Sequence, residues 1–362
     1  LFKSFGGQYG DNPKYISEEL HRKDPDLNIV WGVSEKSNGR DFPDYVKKVK
    51  IKSITFNYYS STAEVIVDNM SGIRGIRSHR YNKFYDYFLK RKNQLNISTW
   101  HGTPLKKIGC DVITDNIQFY QTSANFMLSG NHYSTDIFKS SFNGIEIKEL
   151  GTPRNDILFS QQSQRTLKLK LGLPSSCKII LYAPTFRSDV MVSGIEQLKK
   201  LDVQRLLGSL EKKFGGSWIL VLRLHHEVLL MLREDSSGLI DNKFVYGGNT
   251  HDDMAEYLAA SDILLTDYSS SMFDYLLTNK PCYLFSFDKE KYLNDERGTY
   301  LDLEELPFSF SESVEQLYDE ILNYDEEEAN LKRKRFLNNL GNIDCGLASE
   351  DVANYILSFM EE

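Results

Sequence analysis

Asp262-Ile263-Leu264-Leu265-Thr266-Asp267-Tyr268-Ser269-Ser270-Ser271-Met272-Phe273-Asp274 is an apolar run that stops in a polar turn and resumes with helical character. Four residues, Ile263–Thr266, are too few for a helix and too evenly apolar for a half-exposed strand, so they read as a strand buried on both faces. The serines that follow are good N-cap residues, and a helix is expected over Ser270–Thr278. Hydroxyls and unpaired N–H groups at such a junction suit an anion, although serine capping alone explains any single loop equally well. What decides the fold is recurrence.

The same alternation of short β-type runs and helical patterns fills the chain and implies βαβ units with parallel sheets. In the first half, strands are expected at Asn28–Trp31, Ser53–Phe56, Glu64–Asp68, Leu95–Thr99, Phe126–Ser129 and Ile145–Leu150, and helices at Pro13–Arg22, Pro43–Val49 and Tyr133–Ser140. A break at Thr152–Asp156 precedes a polar helix over Gln161–Lys170. In the second half, strands are expected at Ile179–Ala183, Trp218–Arg223, Phe244–Tyr246, Ile263–Thr266 and Cys282–Phe285, and helices at Val203–Phe214, Asp252–Ala260, Ser270–Thr278 and Val314–Leu322. Two charged or amphipathic helices, Glu326–Leu340 and Ser349–Met360, close the chain.

A length of 362 residues favours two domains, and 41% hydrophobic with 26% charged residues is ordinary globular composition. The net charge of −8 argues against general nucleic-acid binding, so any anion site must be local. No apolar run is long enough to span a bilayer and residues 1–20 lack a signal-peptide core, which predicts a cytoplasmic protein. The chain begins with Leu1 rather than Met, as a piece of a longer polypeptide would. Cys110, Cys177, Cys282 and Cys345 have neither disulfide-framework nor zinc spacing, and are expected to be reduced and mostly buried; no metal site is indicated. One basic aromatic stretch at 74–92 interrupts the acidic background, either as a solvated loop and helix or as a surface for anionic lipid or a polyanionic acceptor.

Four strand ends carry candidate chemistry. Ile97-Ser98-Thr99-Trp100-His101-Gly102-Thr103-Pro104-Leu105-Lys106-Lys107-Ile108-Gly109 ends a buried strand and delivers an imidazole into a turn, with Thr103 as N-cap and Pro104 as first residue of an expected helix. Taken alone, a histidine is more often structural than catalytic. Tyr182-Ala183-Pro184-Thr185-Phe186-Arg187 offers a hydroxyl and a guanidinium suited to bidentate phosphate contact. Arg223-Leu224-His225-His226 places Arg223 and His225 on one side of a strand and Leu224 and His226 on the other, so the adjacent histidines suit one phosphate ligand better than a metal pair. The stretch after Thr266 is the fourth. Neither GxxxxGK[ST] nor GxGxxG is present.

These residues together resemble a known family. Thr-Trp-His-Gly-Thr-Pro-Leu-Lys-Lys-Ile-Gly at 99–109, Gly-Thr-Pro-Arg-Asn-Asp at 151–156, Tyr-Ala-Pro-Thr-Phe-Arg at 182–187, Arg-Leu-His at 223–225, Thr-Asp-Tyr-Ser-Ser at 266–270 and Gly-Gly-Gln-Tyr-Gly-Asp-Asn-Pro at 6–13 are similar to the CDP-glycerol glycerophosphotransferases, the teichoic acid primases and polymerases with related capsule polymerases. The resemblance implies a GT-B fold: two Rossmann-like α/β domains facing across a cleft, here 1–160 and 161–345, with a helix at 346–362 crossing back to the first. It implies transfer of a polyol phosphate from CDP-glycerol or CDP-ribitol to a hydroxyl of a polyol-phosphate or saccharide acceptor that can be lipid-linked, with release of CMP and no cofactor. His101 matches the family's proposed general base, and Arg187, His225 and the Ser269/Ser270 turn match its diphosphate contacts. His225 is counted with His101 as catalytic. Gly102, Thr103, Thr185, Arg223, Thr266 and Asp267 complete the expected substrate contacts, Asp267 and Asp274 being candidates for the ribose and Asp111 for orienting His101. Such an enzyme would sit peripherally at the inner face of a bacterial membrane, with 74–92 as the candidate contact. A nucleotide-sugar glycosyltransferase of GT-B type and a non-catalytic nucleotide-binding scaffold of an envelope assembly complex remain as alternatives, and primase against polymerase stays open.

Overall fold

The computed structural model describes residues 1–34, 41–70, 93–112, 124–142, 144–162, 164–185, 201–224, 242–287 and 298–361. Arg187, His225 and the basic stretch 74–92 lie outside the described residues. The chain divides into two compact units, one comprising Leu1–Ser160, Asp252–Ala255 and Leu340–Glu362, the other Gln161–His251 and Glu256–Asn339.

The first unit is built on a seven-stranded sheet of β1 (Phe2–Lys3), β2 (Val30–Val33), β3 (Lys47–Lys50), β4 (Val65–Asp68), β5 (Leu95–Ser98), β6 (Phe126–Leu128) and β7 (Glu146–Lys148), in the order β3-β2-β1-β4-β5-β6-β7. Every pairing is parallel. β4 and β5 are buried on both faces: β4 is apolar up to Asp68, whereas β5 alternates Leu95 and Ile97 with buried Asn96 and Ser98, the Ser98 hydroxyl donating to the Met70 carbonyl at 2.9 Å. Sheet order runs outward in opposite directions from β1 and β4, so a crevice opens beyond the C-terminal ends of these two strands. One core face gathers Phe2 stacked on Trp31, with Tyr9 and Phe42 against the same indole. Ile16 and Leu20 of the Asp11–Lys23 helix and Val352, Ala353 and Ile356 of the Ala348–Glu361 helix complete it. The C-terminal helix thus belongs to the first unit. Its first turn is fixed by Asp156, which accepts from Ala348 N at 3.1 Å and Ser349 N at 2.7 Å. Gly151, at φ +85°, brings the backbone so close to Ala348 that an added Cβ would lie 2.7 Å from that residue's Cβ.

Asp253 is an insertion into this unit from far along the chain. Its buried carboxylate receives Lys14 Nζ at 2.7 Å and Tyr15 Oη at 2.6 Å. Burial works against its charge, but Lys14 and the hydrogen bonds outweigh that and hold its pKa below the ordinary carboxylate value.

The second unit has a six-stranded parallel sheet of β8 (Lys178–Tyr182), β9 (Trp218–Leu222), β10 (Val245–Gly247), β11 (Ile263–Thr266), β12 (Cys282–Phe285) and β13 (Ser309–Ser311), in the order β10-β9-β8-β11-β12-β13. Its crevice lies between β8 and β11. Asp202 caps the Val203–Phe214 helix and Ser313 the Val314–Leu322 helix, each side chain accepting an N–H from the first turn.

Three local expectations fail. Pro43–Val49 is not a helix: Lys47–Lys50 is edge strand β3, in which Val49 alone is buried. Ser53–Phe56 is not a strand, because Ser53 Oγ accepts from Phe56 N and starts the helix Ile54–Thr62. No helix follows Pro104. Thr103, the expected cap, accepts from Asn131 Nδ2 at 3.0 Å instead, and Tyr133 Oη donates to the Pro104 carbonyl at 2.9 Å. Among the described residues that follow Pro104, up to 112, the helical turn is a short 3-10 segment at Gly109–Asp111. All four cysteines are free thiols, but Cys282 alone is buried, while Cys110 and Cys345 are exposed. Among the described residues no helix is long and apolar enough to cross a membrane.

Candidate active site

His101 stands at the mouth of the first crevice, three residues beyond the end of β5. Its Nδ1 lies 2.8 Å from the main-chain oxygen of Asn69, the residue after β4. A carbonyl only accepts, so Nδ1 carries the hydrogen. In the neutral ring the lone pair is then on Nε2. The ring stacks on Trp100 at 4.2 Å and meets the edge of Phe5, just past β1, at 5.6 Å. Phe5 N in turn donates to Asn69 Oδ1 at 2.8 Å. The ends of β1, β4 and β5 therefore converge on one imidazole.

Burial lowers the His101 pKa below the ordinary histidine value, opposed by the Asn69 carbonyl and by the negative charge of Asp11 and Asp68, with Arg154 reinforcing the shift. At neutral pH the ring is an uncharged base. Asp68 is itself fully buried, 3.5 Å from Lys3 Nζ, and burial raises its pKa above the usual carboxylate value. Asp111 does not orient the ring. Its carboxylate accepts the hydroxyls of Ser140 at 2.9 Å and Ser141 at 2.6 Å. The orienting group is a backbone carbonyl, which carries no side-chain signature. The available hint was positional: Asp68 and Asn69 end a buried strand in polar residues.

In the second unit Thr185, Thr266 and Asp267 meet at the β8/β11 crevice. Asp267, buried, accepts from Thr185 N and Thr185 Oγ1, each at 2.7 Å, and from Tyr268 N at 2.6 Å. Thr266 Oγ1 donates to the Ala183 carbonyl at 2.6 Å and is fully enclosed, so it fastens two strand ends together. Ser269 Oγ lies 3.0 Å from Ser271 Oγ, and Ser270 precedes a helix of only six residues, Ser271–Leu276, without capping it through its side chain. Arg223 turns to the carbonyls of Gly248 and His251, both at 2.7 Å, with its guanidinium over the Tyr257 ring at 5.0 Å. It braces the loop after β10. Asp274 is buried on the short helix.

Over residues 1–358 the chain matches the family described as CDP-Glycerol:Poly(glycerophosphate) glycerophosphotransferase. The chain belongs to this family. It is 31% identical to the teichoic acid poly(glycerol phosphate) polymerase of Staphylococcus epidermidis over its whole length, spanning 51% of that relative. It is 30% identical to the teichoic acid glycerol-phosphate transferase of Staphylococcus aureus, covering 98% of this chain and 92% of the relative. The solved structure of the wall teichoic acid polymerase TagF superposes with a TM-score of 0.80 at 31% identity, covering 99% of this chain and 89% of that one. The family's GT-B class accounts for the two all-parallel α/β units and the C-terminal helix that completes the first.

Proposed function

We propose that this chain transfers a polyol phosphate, glycerol phosphate foremost, from its CDP ester to a hydroxyl of a growing teichoic acid or related capsule polymer. CMP is the leaving group. The observation that carries this reading is the fixed tautomer of His101: Nδ1 is committed to the Asn69 carbonyl, and Nε2 is left as a neutral base. The acceptor hydroxyl gives its proton to Nε2 as its oxygen bonds to the polyol-bearing phosphorus. The bond from that phosphorus to the CMP oxygen breaks, and the electron pair leaves with CMP. Gly102 and Thr103, in the same turn, are assigned to the acceptor side.

Donor contacts are assigned to Thr185, Arg187, Arg223, His225, Ser269 and Ser270, with His225 sharing the catalytic role and Asp267 setting the position of Thr185. Thr266 serves from behind, by joining the strand ends. The functional domains are drawn as 1–160 for the acceptor, 161–345 for the donor and 346–362 as the returning helix.

The acceptor is read as lipid-linked and the protein as peripheral at the cytoplasmic membrane face. The sequence of 74–92 supports this. So does the β3 edge, where Lys47, Lys48, Lys50 and Lys52 are exposed near Ile54 and Tyr58, which are 89% and 61% exposed. Lysines on an edge strand also guard against edge-to-edge pairing, so the lipid reading needs its own vesicle-binding test.

CMP release from CDP-glycerol, CDP-ribitol and UDP-sugars, each with polyol-phosphate acceptors, tests the reaction. CMP from CDP-glycerol, lost in His101→Ala with donor binding retained, is expected. CMP mainly from CDP-ribitol changes the polyol, and UDP release alone replaces the reaction with glycosyl transfer. Binding without any CMP release leaves the scaffold reading.

A further inference from the structure

The turn that carries His101 is conformationally costly. Trp100, a bulky residue, has φ +51°, and Asp11, which opens the Asp11–Lys23 helix, has φ +61°. Left-handed backbone at such residues persists only where surrounding contacts enforce it. Here two side chains claim three successive carbonyls of the turn. Asn12 Nδ2 donates to the oxygens of Thr99 and Trp100, both at 3.2 Å, and Arg154 Nη1 donates to the oxygen of His101 at 2.8 Å.

The two side chains are themselves joined. Arg154 N donates to Asn12 Oδ1 at 2.9 Å, and Arg154 Nη1 also reaches Asp11 Oδ2 at 2.8 Å. The other oxygen of Asp11 accepts Asn12 N at 2.6 Å. Asp11, Asn12 and Arg154 are 8%, 1% and 8% exposed. A buried guanidinium that spends one nitrogen on both a carboxylate and the carbonyl of the proposed base is an expensive arrangement for fold alone, since an apolar contact would join these segments without desolvating an ion pair.

We propose that Arg154, held by Asp11 and Asn12, is a positioning residue that fixes the backbone of His101 so that its imidazole is presented in one orientation. The proposal rests on the reading of His101 as base. The charged groups facing His101 are Asp11 from the Asp11–Lys23 helix, Arg154 from the short turn Pro153–Asn155, and Asp68 from β4, with Lys3 of β1 paired to Asp68. Arg154→Lys keeps the charge but replaces the rigid guanidinium, whose Nη1 is set between Asp11 Oδ2 and the His101 carbonyl, by a flexible ammonium on a shorter stem, whereas Arg154→Met keeps the bulk and removes the charge.

The test measures CMP release from CDP-glycerol together with a histidine NMR titration, the His101 signals being identified by their loss in His101→Ala. Displacement of a catalytic group by about 1 Å costs on the order of 100-fold, so kcat should fall by roughly that factor in Arg154→Lys while KM for CDP-glycerol stays within about threefold. In Arg154→Met the imidazole should titrate at higher pH, because the cation is gone and Asp11 and Asp68 remain, and the acid limb of kcat should move with it. Normal kcat in both variants alongside an inactive His101→Ala overturns the proposal. So does a loss of kcat in Arg154→Met with an unmoved His101 titration, which is the mark of a merely structural role. If Arg154→Met does not fold, the kcat and KM of Arg154→Lys decide. Full turnover in His101→Ala removes instead the base reading, and the positioning role with it.

Discussion

Lys14→Met isolates the energetics of Asp253, a buried carboxylate that the second half of the chain lends to the first unit. Lys14 and Asp253 have side chains 5% and 4% exposed and meet at 2.7 Å. Removing one partner of such a pair leaves a charge in a medium that cannot solvate it, at a cost of about 3–5 kcal/mol. Tyr15 and the Ala255 N–H still donate to Asp253, which favours the lower end, about 3 kcal/mol. For a cooperative unit of this size each kcal/mol moves Tm by roughly 2–4 °C, so a fall of about 6–12 °C in the first-unit transition is expected by calorimetry at pH 7.

The pH dependence supplies the sign. In the parent the folded pKa of Asp253 is depressed, so its stabilisation is present above the unfolded value of 3.8 and fades as pH falls through the folded value. In Lys14→Met the opposing charge is gone while burial remains, so the folded pKa rises above the unfolded one and the penalty grows as pH climbs past about 4. The difference in Tm should therefore shrink toward pH 4, and Lys14→Met/Asp253→Asn should recover part of the loss at pH 7. A Tm within 2 °C of the parent at pH 7, or a gap that widens on acidification, refutes the reasoning.

Other outcomes follow from the same geometry. Because burial places the His101 pKa below the ordinary histidine value, the acid limb of kcat/KM for CMP release should lie below pH 6.5, and a limb at or above that value would contradict an enclosed neutral base. Thr185→Val strips one donor from the buried Asp267 and should raise KM for CDP-glycerol about 5- to 30-fold, following a loss of about 1–2 kcal/mol; unchanged donor affinity would place Thr185 outside the donor site. Ile356→Ala, in the C-terminal helix and 1% exposed, should cost about 2–5 kcal/mol in the first-unit transition, read by chemical denaturation. A thiol-labelling time course on the native protein should modify the exposed Cys110 and Cys345 while Cys282, buried and with its thiol pKa pushed up by burial, waits for unfolding.

Apolar runs of four or five residues bounded by turns gave away most strands, because a strand buried on both faces has nothing but apolar side chains to show. Trp218–Leu222 and Cys282–Phe285 are of this kind. β1, two residues long, and β13, Ser309–Ser311, are too short to carry a period, and β3 is an edge strand whose three lysines mask its one inward valine. His101 was legible as a polar residue delivered by a buried strand. Its orientation was not, since it depends on a main-chain oxygen of Asn69 and on side chains from residues 12 and 154. Arg223 shows what the sequence could not convey: its guanidinium is held by the carbonyls of Gly248 and His251, about 25 residues further on, in a loop with no pattern of its own.

The composition of the first unit bears on how the chain is made. Its sheet comes from the first 160 residues, but Asp253 and the helix whose Val352, Ala353 and Ile356 cover the core come from segments beginning at 252 and 340. A nascent chain emerging from the ribosome therefore has all seven strands of this unit long before it has the groups that neutralise Lys14 and cap the apolar face. The sheet made earlier is completed only by residues made later, and until the Ala348–Glu361 helix arrives the core face that it covers is the surface a chaperone would hold.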